Sequence, residues 1–276
     1  MRIAYLGPAG TFTEDALGEA TREQFEPLRT ATIHDAILAV ERGEAERALV
    51  PIENSIEGSV RPTLDALAFE ADSVTIVGEH DYAVRAHLIG REPVELGAVE
   101  AVLSHQQPLA QCARFLREQL TGVELRSVSS TAAAVRMVAE SVRPWAAIGS
   151  RAAAELYDCA ILREGIQDES DNVTRFVWIA PAGTEAATGE TWKTSLVFSE
   201  LGEDHPGALV NALSEFSSRA INLSRIESRP LRSGLGRYMF FCDLDGAATD
   251  EVVAEAIAAL RTKAESVRIL GSYPLG

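Results

Sequence analysis

Apolar and polar positions along this chain switch repeatedly between the period of a strand and that of a helix. Ile3-Ala4-Tyr5-Leu6 is a short apolar run and reads as a strand. Gly7-Pro8-Ala9-Gly10 breaks it, and Thr11 or Thr13 can cap the helix that follows, with Glu14 and Asp15 suited to its positive end. Residues 34–42 repeat apolar positions at helical spacing until Gly43 stops them, and Ala48-Leu49-Val50-Pro51-Ile52 returns to a strand. A polar loop from Glu53 to Gly58 leads to a helix that starts between Ser59 and Thr63. Repeated strand–helix–strand units imply a parallel sheet with helices on both faces.

The rhythm changes near residue 75. Strand-like segments at 74–77, 82–90 and 99–103 precede a helix over 108–119, a strand over 123–128, a helix over 131–142, the strand Trp145–Ile148 and a helix over 150–157. Residues 76–158 are therefore expected to form a second lobe inserted into a first, built from 1–75 and 159–180. A chain that crosses twice between two lobes leaves a cleft, a favoured place for a ligand. Residues 181–191 are small, polar and aperiodic, and read as a linker. Beyond them come a strand (193–199), a turn at His205-Pro206-Gly207, a helix (207–219), strands at 221–228 and 236–244, a helix (249–262) and a last strand (266–270). That βαββαβ order over residues 192–276 predicts a four-stranded antiparallel sheet with two helices on one face. Its open edge invites pairing with a second copy. The expected fold class is α/β: a two-lobed region like that of periplasmic binding proteins, followed by a ferredoxin-like domain.

Composition narrows the function. Hydrophobic content of 46% and charged content of 24% are those of a globular protein. A formal net charge of −16 argues against nucleic acid as a partner, since no basic patch exists to displace counterions from phosphates. Cys112, Cys159 and Cys242 lie in apolar surroundings and read as reduced core residues of a cytoplasmic protein. The five histidines are scattered without ligand spacing, so no metal is expected. Met1-Arg2 runs directly into the first strand, so no signal peptide is expected, and no apolar run approaches membrane-spanning length. An anionic ligand would need local positive charge in this acidic chain, which single arginines or helix N-termini can supply.

The most informative stretch is Asp171-Asn172-Val173-Thr174-Arg175-Phe176, which leads into the apolar run Val177-Trp178-Ile179. A polar cluster where a strand meets its loop is placed to bind a ligand. A hydroxyl, a guanidinium and an aromatic ring suit a small anion that needs a proton donor, although Arg175 reads equally as one half of an ion pair. Glu53-Asn54-Ser55-Ile56-Glu57-Gly58-Ser59 packs two carboxylates, an amide and two hydroxyls at another strand end. The loop Gly7–Gly10 lacks the third glycine of a dinucleotide fingerprint, and a small carboxylate at its helix N-terminus fits better. Ser104-His105-Gln106-Gln107-Pro108 follows a strand, with Gln111 soon after; His105, without a nucleophile, reads as a loop residue rather than a base. No Gly-x-Ser-x-Gly elbow is found. In the C-terminal part, Gly207-Ala208-Leu209-Val210 opens a helix and Glu227-Ser228-Arg229-Pro230 ends a strand. Together they could meet a small zwitterion at a subunit boundary.

These stretches resemble the prephenate dehydratase family over nearly the whole chain. The resemblance rests on Gly7-Pro8-Ala9-Gly10-Thr11-Phe12, Pro51-Ile52-Glu53-Asn54-Ser55, Ser104-His105 with Gln107-Pro108, Gln111 and Thr174-Arg175-Phe176. The tail is similar to that family's ACT regulatory domain through Gly207-Ala208-Leu209-Val210 and Glu227-Ser228-Arg229-Pro230. Gln106 stands where a proline is common, and Glu203-Asp204-His205 departs from the usual spacing before the ACT helix. The resemblance implies conversion of prephenate to phenylpyruvate in L-phenylalanine biosynthesis, with no metal or other cofactor. It puts the donor role on Thr174, fed by water or Glu53. Asn54, Ser55, Ser104, Gln111 and Thr11 would hold the substrate, Phe176 would pack near its ring, and Arg175 would screen a carboxylate. L-phenylalanine would bind at residues 207–210 and 227–230 of a homodimer or homotetramer. The rivals are arogenate dehydratase, which acts on the amino-acid analogue, and a non-catalytic amino-acid sensor.

Overall fold

Strands and helices alternate through the first two-thirds of the chain. The computed structural model describes residues 1–202 and 206–275; Glu203, Asp204 and the expected turn residue His205 lie outside the described residues. In chain order the elements are β1 (Arg2–Leu6), α1 (Phe12–Ala20), β2 (Glu26–Thr30), α2 (Ile33–Glu41), β3 (Arg47–Asn54), β4 (Gly58–Ser59) and α3 (Arg61–Phe69). Next come β5 (Val74–Ala83), β6 (His87–Gly90), β7 (Ala101–Ser104), α4 (Gln106–Gln111), α5 (Ala113–Gln119), β8 (Glu124–Ser127), α6 (Thr131–Glu140), β9 (Trp145–Gly149) and α7 (Arg151–Leu156). Then follow β10 (Ala160–Arg163), β11 (Val173–Pro181), β12 (Trp192–Ser199), α8 (Ala208–Ser217), β13 (Leu223–Pro230), β14 (Tyr238–Asp245), α9 (Glu251–Leu260) and β15 (Ser266–Pro274). The described chain divides into two compact units, residues 1–63 with 80–176 and residues 64–79 with those from 177 onward.

In the first unit β1 lies parallel to β2 on one side and to β3 on the other, and the start of β11 lies beside β3. The expected strand 82–90 is two strands, because residues 84–86 leave the ladder. A separate five-stranded sheet runs β10-β6-β9-β7-β8. Strand alternation covers both of its faces: Ala146 and Ile148 pack with Cys112 and Leu116 on one side, while Ala147 packs with Val135, Val138 and Ala153 on the other. β10 was expected in the first lobe, yet it pairs antiparallel with β6, so the second sheet extends to Arg163. β2 escaped the sequence reading because Pro27 and two charged residues hide its pattern; it pairs only with β1, an edge where proline is tolerated.

In the second unit β13-β14-β12-β15 form the expected antiparallel sheet with α8 and α9 over one face. Leu196, Phe198, Phe216, Cys242, Ile257 and Leu260 form its core. Residues 64–79 were expected with the first lobe, but they group with this sheet. Three features hold them there. Gly271 of β15 lies so close to Ile76 of β5 that a Cβ would collide with the Ile76 carbonyl. Lys193 on β12 donates to both carboxylate oxygens of Glu79, at 2.7 and 2.8 Å, with each side chain only 11% exposed. Asp65 of α3 accepts two hydrogen bonds from one nitrogen of Arg229, at 2.8 and 2.9 Å. Residues 182–191 hold no helix or strand. Among the described residues no helix is long and apolar enough to cross a membrane.

Candidate active site

Side chains on a strand point alternately to its two faces, so Asn172, Thr174 and Phe176 share one side while Val173 and Arg175 take the other. The first three line a cavity of about 720 Å³ together with Thr11, Asn54 and Gln111. Phe176 is buried and meets Tyr82 edge-on, with ring centroids 6.3 Å apart.

The polar groups of this cavity form one connected set. Asn54, buried at the end of β3, accepts from the backbone N–H groups of Ile56 and Glu57, both at 3.0 Å. Its amide nitrogen lies 2.7 Å from Asn172 Oδ1 and 2.9 Å from Thr174 Oγ1. Asn172 Nδ2 in turn donates to Gln111 Oε1 at 3.2 Å. Gln111 Nε2 is buried and has no hydrogen-bond partner among the described residues. Thr174 thus accepts from Asn54, and its own O–H is available to a ligand.

Positive potential comes from the start of α6. Ser129, Ser130, Thr131 and Arg136 line the same cavity, and Ser130 caps the helix by accepting from Ala133 N at 3.0 Å. The partial charge of a helix N-terminus and a guanidinium on its second turn suit a carboxylate. Sequence reasoning passed over both features, although Ser129-Ser130-Thr131 ahead of an apolar-periodic run is an N-cap signature. Replacing Ser130 by alanine should lower the free energy of unfolding by about 1 kcal/mol. An unchanged urea midpoint would show that the cap contributes nothing.

Other expected residues are placed differently. Glu53 precedes Asn54 on β3 and so faces the opposite side, where it pairs with Arg175 at 3.2 Å. The pair is not among the residues that line the cavity. Ser55 is spent on the backbone: its hydroxyl donates to Asp171 O at 2.9 Å and accepts from Val173 N at 3.0 Å. Ser104 is fully buried and donates to Ile148 O at 2.7 Å. His105 lines the cavity and accepts from Gln107 N at 3.4 Å, as the cap of α4. In the glycine-bearing loop, where a small carboxylate was expected at the helix N-terminus, the Gly10 N–H donates to Glu14 at 2.5 Å. Burial acts to raise the Glu14 pKa, but donors from Tyr5, Gly10 and Arg29 win and hold it below its ordinary value. Gly10 itself has φ +79°, and a Cβ there would lie 3.1 Å from Ala153 Cα.

In the second unit Gly207, with φ +91°, is the left-handed residue before α8, and Ala208, Leu209 and Val210 form the first turn. Glu227, Ser228, Arg229 and Pro230 close the edge strand β13. Cross-strand partners share a face, and Ile226 lies opposite the core residue Cys242. Ile226 and Ser228 therefore sit on the helix side, whereas Glu227 and Arg229 point away from α8. A single protomer does not bring the Glu227 carboxylate to the α8 N-terminus. Nor is Arg229 open to a ligand, since Asp65 holds it from Nε at 3.2 Å and from Nη2 at 2.8 and 2.9 Å. Arg232 donates to the same carboxylate at 2.8 Å.

Comparison with known proteins finds two family models along the chain. The family model for prephenate dehydratase matches residues 3–184, and that for the ACT domain matches residues 200–262. A prephenate dehydratase of Mycobacterium marinum is 41% identical over 284 residues, covering 100% of this chain and 89% of the relative. The crystal structure of prephenate dehydratase from Arthrobacter aurescens in complex with L-Phe superposes with a TM-score of 0.91 at 39% identity, over 99% of this chain and 90% of that one. A structure described as a quorum-quenching acylase superposes with a TM-score of 0.88 at 30% identity, over 100% of this chain and 98% of that one.

Proposed function

The chain belongs to the prephenate dehydratase family, and on that premise we propose how its cavity carries out the dehydration and what its C-terminal domain binds. The substrate is prephenate, and the reaction breaks two bonds. The bond between the ring and its carboxylate breaks to release carbon dioxide, and its electron pair passes through the ring. The hydroxyl at the opposite ring carbon leaves, takes up a proton and departs as water, giving phenylpyruvate. Aromatisation drives the process, so the protein must mainly position the substrate and assist the hydroxyl.

One observation carries the assignment of the donor. Thr174 Oγ1 accepts from Asn54 at 2.9 Å, which polarises the hydroxyl and leaves its hydrogen for the departing oxygen. A threonine hydroxyl is too weak an acid to give up its proton alone, so it acts as a hydrogen-bond donor or relays a proton from water. Such help is worth roughly 10²–10⁴-fold, and positioning adds to it. Gln111 and Asn54 orient the substrate, Phe176 packs against its ring, and Arg136 with the α6 N-terminus faces a carboxylate. Glu53 and Arg175 act by bracing β3 against β11 rather than by touching the substrate.

L-phenylalanine, the product of the pathway in which phenylpyruvate is consumed, is the ligand of the C-terminal domain and inhibits the enzyme. The Arthrobacter relative in complex with L-Phe supports this reading. The α8 N-terminus would receive the carboxylate, and a second copy of the chain would complete the site, because Glu227 faces the other side of its own sheet. Two chains is therefore the smallest assembly that fits.

The acylase neighbour makes amide hydrolysis the competing chemistry. A nucleophilic hydroxyl needs a base beside it. The partner of Thr174 is the amide of Asn54, which cannot take a proton, and this favours elimination. The deciding assay incubates the purified protein with prephenate, with arogenate and with an amide substrate, following phenylpyruvate from prephenate by its absorbance in alkali, phenylalanine from arogenate by amino-acid analysis, and the amine released from the amide. Phenylpyruvate formed at a useful rate from prephenate supports the reading; amine release without it would overturn it. Faster turnover of arogenate would reassign the substrate.

A further inference from the structure

We infer that Asn172 is a positioning residue that fixes the polarity of Gln111, so that an N–H rather than a carbonyl oxygen is held for the substrate. Two backbone donors at the end of β3 cannot be reversed. The backbone N–H groups of Ile56 and Glu57 both point at one atom of the Asn54 amide, which must therefore be its oxygen. The Asn54 nitrogen then faces Asn172, and the Asn172 atom 2.7 Å away must be an oxygen. The Asn172 nitrogen is left to face Gln111, and the atom it meets at 3.2 Å must be Oε1. Each amide has one donor end and one acceptor end, so two backbone donors dictate the orientation of three side chains in turn.

The series ends on Gln111 Nε2, which is buried and lacks a partner among the described residues, in a side chain that lines the cavity. A buried donor left unmade is costly, so its retention points to a ligand that accepts from it. With its ring hydroxyl assigned to Thr174, the substrate has two carboxylates and a keto group left to meet Gln111, and these can only accept. Reversal of the Gln111 amide would present an oxygen to those acceptors and repel them. Asn172 is 2% exposed and sits between Gln111 on α4 and Asn54 on β3, so no solvent exchange can substitute for it.

Asn172 is not a catalytic residue in this account, and its role separates binding from turnover. Asn54 keeps its two backbone anchors and its reach to Thr174 and to Val173 O at 3.2 Å when Asn172 is lost. The hydroxyl that assists departure should therefore stay in place. The inference rests on the proposed function only through the anionic substrate.

The test is a double-mutant cycle on the full chain with prephenate. Asn172→Leu should raise KM roughly tenfold and change kcat less than about threefold, since the lost group acts through uniform binding. Gln111→Leu should raise KM as well. The double variant should be no worse than Gln111→Leu alone, because neighbours that act as a unit are not additive. Asn172→Ser, too short to reach Gln111, repeats the cycle if the leucine variant does not fold. Additive KM effects in folded variants would overturn the inference, as would a loss confined to kcat. If wild-type protein gives no phenylpyruvate, the proposed function fails instead, and the two failures are distinct.

Discussion

Thr174→Val lowers kcat for prephenate by about 10²-fold or more, with a smaller change in KM. Valine keeps the branched shape and removes only the hydroxyl. The Asn54 amide that loses an acceptor still reaches Asn172 Oδ1 at 2.7 Å and Val173 O at 3.2 Å, so the surrounding set holds. Arg136 and the start of α6 still line the cavity, which is why binding should suffer less than turnover. Steady-state kinetics on protein with an unchanged unfolding midpoint provides the measurement. Near-normal kcat would reject Thr174 as the donor and move attention to a bound water or to His105, which lines the same cavity.

Much of this site could be read from the sequence because its residues cluster at strand ends. The run Val177-Trp178-Ile179 marked β11, and the polar residues before it marked the functional end. Its alternation held a second message that adjacency obscured. Thr174 and Arg175 are neighbours in sequence and cannot face the same side of a strand, and the same holds for Glu53 and Asn54. Applied at residue 172, the period of two also finds Asn172. The Ser129-Ser130-Thr131 cap signals a helix start, but only the packed lobes reveal that this start faces the cavity. Residues 64–79 gave no local sign of their partners. Nothing near Asp65, Asp72 or Glu79 in sequence signals Arg229, Arg268 and Lys193, which lie opposite them from more than a hundred residues away.

Asp65→Asn should leave L-phenylalanine binding intact and weaken its inhibition. The ligand is expected at the start of α8 and the end of β13, and it can change catalysis only by favouring one arrangement of the chain over another. Arg229 ends β13 and is gripped by Asp65, with Arg232 on the same carboxylate. Asp65 belongs to α3, which begins at Arg61, directly after the Gly58, Ser59 and Val60 that line the cavity. The carboxylate is thus the point where the end of β13 grips the helix that follows the cavity-lining residues 58–60. An uncharged amide cannot hold two guanidinium groups, so the grip loosens while the α8 N-terminus is untouched. Coupling of this kind is commonly worth about 5–150-fold. We expect inhibition in that range for the wild type and less than about threefold for the variant, with similar Kd by calorimetry. Truncation of the C-terminal sheet is a poorer test, because it strips Asp65 of both arginines and Glu79 of Lys193 at once. Full inhibition of a folded Asp65→Asn protein would show that the signal takes another route, and loss of binding would place Asp65 in the ligand site itself.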